Sequence, residues 1–137
     1  MSRVINPDSA GKQRTQMAKA VALALRQLAL QTAMADEARD LAAFISLGLE
    51  VISQGIDASV AAWEKRGYWV KADKFRLEWD WAAKVSSRMG AAVKVDDWSE
   101  IAALAIQAAG KLRKVQISER HKLGKPWLGA YTQLRQD

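Results

Sequence analysis

The 137-residue chain has no cysteine and a single histidine, His121. Disulfides, thiolate metal sites and cysteine nucleophiles are thereby excluded. One histidine cannot build a His-pair metal centre, and no carboxylate stands in the Glu-x-x-His spacing of di-metal bundles. Around His121 no nucleophile or orienting acid falls at a recognisable spacing. The expectation is a protein that is not an enzyme, needs no cofactor and has no small-molecule substrate. Residues 1–8 lack the apolar h-region of a signal peptide, so the expected compartment is the cytoplasm. The longest apolar run, Leu41 to Leu49 interrupted only by Ser46, is too short to cross a bilayer, and no membrane partner is expected. Internal repeats, low-complexity stretches and runs of period-2 alternation are also missing. Ser9-Ala10-Gly11-Lys12 is no phosphate loop: Asn6 replaces the required earlier glycine, Gln13 follows the lysine, and no strand precedes it.

What is present is helical. Half of the residues are apolar, enough for one domain with a real core, and they recur at helical spacing in four long segments. Pro7 with Asp8 or Ser9 opens the first, over 8–32, with Met17, Val21, Ala24 and Leu28 as its buried stripe. The second spans 36–65, its acidic start suiting the helix dipole, and Arg66-Gly67 breaks it. The third spans 68–89, with Gly90 as the expected stop. Asp97-Trp98-Ser99-Glu100 has capping-box spacing and opens the fourth, 98–115. A basic tail, 116–137, carries a short helix over 126–135, with Pro126 in its first turn and Leu128, Tyr131 and Leu134 as its buried edge. Short connections make neighbouring helices antiparallel. The expected fold is an all-α, up-down antiparallel four-helix bundle with a short C-terminal helical appendage.

Net charge is +6, distributed in blocks: +4 over 1–34, −5 over 35–64, +5 over 65–95, −3 over 96–110 and +5 over 111–137. Adjacent blocks of opposite sign attract one another within the fold, and the excess positive charge favours an anionic partner such as nucleic acid or an acidic protein. Lys19 opposite Glu50 and Lys12 opposite Asp57 specify one register for the first hairpin; such exposed pairs choose register more than they stabilise, at about 1 kcal/mol or less each. Gly48, Gly55 and Ala62 recur every seven residues on the second helix. Since glycine costs about 1 kcal/mol inside a helix, they suggest close backbone approach.

Four of the six tryptophans fall between Trp63 and Trp81, interleaved with Lys65, Arg66, Lys71, Lys74 and Arg76. On the third helix Tyr68, Ala72, Phe75, Trp79, Ala82 and Met89 share the core face. Val70, Leu77, Trp81 and Val85 form a second face beside Lys74, Lys84 and Arg88. A monomer's surface helix needs only one narrow apolar stripe, so the second face has three possible uses. The tail covers it, another protein chain or a second copy covers it, or Trp81 stacks on a base while the cations meet phosphate. Asp73, Arg76, Asp80 and Lys84 form a ladder that can neutralise itself. A second basic cluster, Arg120, His121, Lys122 and Lys125 with Trp127, is extended upstream by Lys111, Arg113 and Lys114; it meets phosphate or is simply solvated. The sequence thus points to a non-enzymatic helical accessory subunit in a larger assembly. Lys74, Trp81, Lys84, Arg88, Lys111, Arg113, Lys114, Arg120, Lys122 and Lys125 are its candidate nucleic-acid contacts. The alternative is a self-associating or protein-adaptor bundle that docks through Val70, Leu77, Trp81 and Val85.

Overall fold

The computed structural model describes residues 7–31 and 35–136. Among these, the helices are α1 (Pro7–Ala29), α2 (Asp36–Lys65), α3 (Trp69–Lys94), α4 (Trp98–Lys111) and α5 (Ala130–Gln136). They form the expected up-down bundle with a short C-terminal helix. The central element is α2, which packs against α1, α3 and α5 and buries Leu41, Ile45, Leu49 and Ile52. Its 30 residues make it long and apolar enough to cross a membrane by length and composition alone, although its uninterrupted apolar run is short. That apolar surface faces the other helices.

Glycine and serine let the helices approach closely. A Cβ on Gly48 would lie 2.5 Å from Cγ2 of Val21 and 3.3 Å from Sδ of Met17. Val21 opposite Gly48 is the register predicted from Lys19 and Glu50, moved along by two residues. The charges agree with that register without closing on each other: among the described residues neither Lys19–Glu50 nor Lys12–Asp57 forms an ion pair. Gly55 has no neighbour within 4 Å and brings nothing close. Between α2 and α3 the Ser46 hydroxyl donates to the Ser86 carbonyl at 2.7 Å, and the Ser86 hydroxyl donates to the Ser46 carbonyl at 2.7 Å.

Several element ends differ from expectation. The end expected for α1 at Thr32 lies outside the described residues; its helical turns stop at Ala29. Gly90 does not stop α3. It lies buried within the helix, where a Cβ would meet Ser46 Oγ at 3.0 Å, so the glycine serves packing. α3 ends instead at Lys94, where Asp96 takes φ 53°. The Asp97 N–H bonds to the Ala92 carbonyl and the Asp96 N–H to the Val93 carbonyl, a Schellman closure with aspartate in the usual glycine place. Asp97 then caps α4 by accepting from the Glu100 N–H at 3.1 Å, as its spacing predicts. α4 ends at Lys111, short of Val115.

The tail helix starts at Ala130, later than Pro126, because the chain first makes turns over 126–129. Leu128 is exposed and Trp127 is buried in its place. Carboxylates of α2 hold this segment: Asp40 accepts from the N–H groups of Gly129 and Tyr131 at 3.0 and 2.9 Å, and Glu37 accepts from the Trp127 indole at 3.3 Å. Pairs between blocks of opposite charge tie elements together. Arg76 meets Glu64, Arg88 meets Glu100, and Lys125 meets Glu37.

Candidate interaction site at the α2–α3 corner

The sequence from Trp63 to Lys74 folds into a corner because Gly67 adopts φ 82°. The Tyr68 N–H bonds to the Trp63 carbonyl at 2.9 Å and the Gly67 N–H to the Glu64 carbonyl at 3.0 Å. This Schellman closure satisfies the last carbonyls of α2 and launches α3 at once. It also sets aromatic residues on a helix start that no other helix among the described residues covers. Tyr68 is 56% exposed and Trp69 59%, with Val70 exposed beside them.

Together these residues frame an open recess of about 730 Å³. Trp63 and Phe75 meet edge to face in it, with centroids 4.8 Å apart. The Lys71 ammonium lies 4.6 Å from the Trp63 ring and the Arg14 guanidinium 4.9 Å from the Phe75 ring. Tyr68, Trp69, Val70, Lys74 and Glu78 complete the walls. The electrostatics follow from Arg76, which takes both Glu64 at 2.9 Å and Asp73 at 2.7 Å. Hydrogen bonds to Glu64 and then Asp73 hold its guanidinium pKa above the ordinary arginine value. Among the described side chains Lys65, Arg66, Lys71 and Lys74 form no ion pair, and Glu78 is the acid that shares the recess with Lys71 and Lys74. Exposed aromatic residues stand beside Lys71 and Lys74.

The predicted second face of α3 divides in two. Val70 and Leu77 are exposed, whereas Trp81 is 6% exposed and Val85 is buried within the chain's own core. Neither a base nor a partner can reach Trp81. Its indole stacks on Trp79 at 5.9 Å, and Trp79 lines a recess with Arg14 and Ala18 of α1 and Val115 beyond α4. Tyr68, expected in the core, is instead at the surface. Of the flanking cations, Arg88 donates to Glu100 at 2.8 Å, Lys84 lies 3.9 Å from Asp80, and Lys74 lines the corner recess. The expected ladder therefore closes in part, through Asp73–Arg76 and Asp80–Lys84.

The other basic cluster starts at the last residue of α4 and continues on the irregular chain after it. Lys111, Arg113, Lys114, Arg120 and Lys122 are exposed, and Lys125 sits 3.8 Å from Glu37. His121 is exposed, its Nδ1 accepting the Leu123 N–H at 3.3 Å. Lys114 shares the Trp79 recess with Arg14, which also covers Phe75, whereas the chain then runs away from the corner to Lys125 at the start of α2. Among the described residues no three acidic or histidine side chains gather as metal ligands.

Trp69, Lys71, Lys65 and Arg66 had no assigned role in the sequence pattern. The signal for them was the helix-breaking glycine, since residues following such a turn lie at a bundle's end. Comparison with protein-family models, curated proteins and solved structures finds no match.

Proposed function

We propose that the protein is a non-enzymatic helical interaction subunit that contacts single-stranded nucleic acid through the α2–α3 corner. One observation carries this reading: exposed Tyr68 and Trp69 share a recess with Lys71 and Lys74, whose two cations outnumber its single acid, Glu78. Unpaired bases stack on such rings while cations meet the backbone. Lys114, which shares a recess with Arg14, extends the positive surface toward the corner, and a larger assembly supplies sequence choice. Phosphate contact at Trp81, Lys84 and Arg88 is given up, because the ring is buried and the arginine is paired. The test is titration of a fluorescent single-stranded oligonucleotide at low salt. Tyr68→Ala with Trp69→Ala removes stacking of about 1–3 kcal/mol per base, so affinity is expected to fall at least tenfold. Unchanged affinity overturns the reading.

Exposed Val70 and Leu77 favour a second reading, an adaptor that docks a protein through this corner without nucleic acid. Binding of that kind keeps its strength as salt rises, and Leu77→Glu would abolish it while sparing any oligonucleotide binding.

A further inference from the structure

α4 is largely apolar on two sides, yet the described residues cover only one of them. Ile101, Leu104 and Ala108 are buried against the bundle. The opposite side, at 100° per residue, is centred on Ile106 with Ala102, Ala103, Ala109 and Gly110 around it. All are exposed, Ile106 at 74%. No charged residue falls within that face; Glu100 and Lys111 lie off its edge. A helix with apolar residues on every side is normally enclosed. Beside the face, the seam between α1 and α4 opens into a recess of about 410 Å³, walled by Leu25, Leu28, Trp98, Ile101 and Ala105. A bulky side chain thus stands next to an apolar hollow on one surface, the requirement for a self-complementary interface.

Charge selects the occupant. At the Trp98 end α4 opens with Asp96, Asp97 and Glu100, of which Asp96 pairs with Arg39 and Glu100 with Arg88. At the other end Arg26 and Arg113 flank the seam, with Lys111 and Lys114 nearby in sequence. A uniformly anionic partner such as nucleic acid would match only the second end. A second copy, turned so that the two α4 helices run antiparallel, sets the acidic end of each on the basic end of the other.

We infer that the protein forms a two-fold homodimer through antiparallel α4 helices, with Ile106 of each copy packed over Ala102 and Ala103 of the other at the mouth of its seam. This inference is independent of nucleic-acid binding, since it uses neither Tyr68, Trp69, Lys71 nor Lys74.

Sedimentation equilibrium of the full chain tests it. The expected mass is twice 15.1 kDa. Ile106→Glu, at an exposed position that the fold tolerates, is expected to return the mass to 15.1 kDa with unchanged helical circular dichroism. Monomeric wild type at about 100 μM, where a complex of micromolar affinity is saturated, overturns the inference. A dimer that survives Ile106→Glu but is lost with Leu77→Glu also overturns it, by placing association on α3. Orientation has its own readout, because the native chain has no cysteine. In the antiparallel pair, position 103 lies about 4 Å along the axis from its counterpart and position 99 about 16 Å. Oxidation should therefore link Ala103→Cys chains and leave Ser99→Cys chains unlinked; equal linking of both contradicts the antiparallel arrangement.

Discussion

At the scale of single residues, Gly48 and Gly55 pose the same question and receive opposite answers. Both sit in α2 seven residues apart, but only Gly48 has a neighbour in the way. Gly48→Ala should destabilise by about 1–3 kcal/mol, the cost of overpacking against Val21, despite the gain in helix propensity. Gly55→Ala should stabilise by up to about 1 kcal/mol, since nothing opposes the added methyl. Urea unfolding midpoints moving in opposite directions would verify the pair; a stabilising Gly48→Ala would show that the α1–α2 contact is looser than described. Spacing alone revealed both glycines without separating them, because the difference lies in which α1 side chain stands opposite. The same limit explains Tyr68 and Trp81. Helical angle placed Tyr68 inside and left Trp81 open, yet α3's first turn lies past the covered part of the bundle. The Trp81 ring, by contrast, folds onto Trp79 and into the core.

For whole elements, boundaries were legible where local chemistry decides them. The Asp97 cap, the Gly67 break and both ends of α2 stood in the sequence because each depends on residues within one turn. The end of α3 did not, since Gly90 answers to Ser46 on another helix and aspartate takes the left-handed position at 96. The tail was legible as a short helix but not as a held one, because its partners Glu37 and Asp40 lie some 90 residues away. Asp40→Ala removes the acceptor for two tail amides, which should cost about 1 kcal/mol. Hydrogen exchange at residues 129–134 should accelerate while amides at the α2–α3 contact stay protected. Unaltered exchange in the tail would mean that Trp127 and Leu134 alone hold it.

Across the whole molecule, the fold class and the separation of charge into blocks were readable from the chain, while the location of the exposed aromatic surface was not. Salt should separate the two proposed contacts. Four corner cations on a single strand give a slope of log affinity against log salt of about −3, or roughly fifty-fold weaker binding between 50 and 200 mM. Dimerisation through Ile106 should change far less over that range. A shallow slope for oligonucleotide binding would assign it to ring stacking with little phosphate contact. The length of α2 has a further consequence. Ala38 borders the seam recess and Trp63 the corner recess, and the rise of one continuous helix sets them about 40 Å apart. That span exceeds the Debye length near 8 Å in physiological salt several times over. Loading one end cannot alter the electric field felt at the other, so the rod acts as an insulating strut, and crosstalk between its ends would require the strut itself to bend.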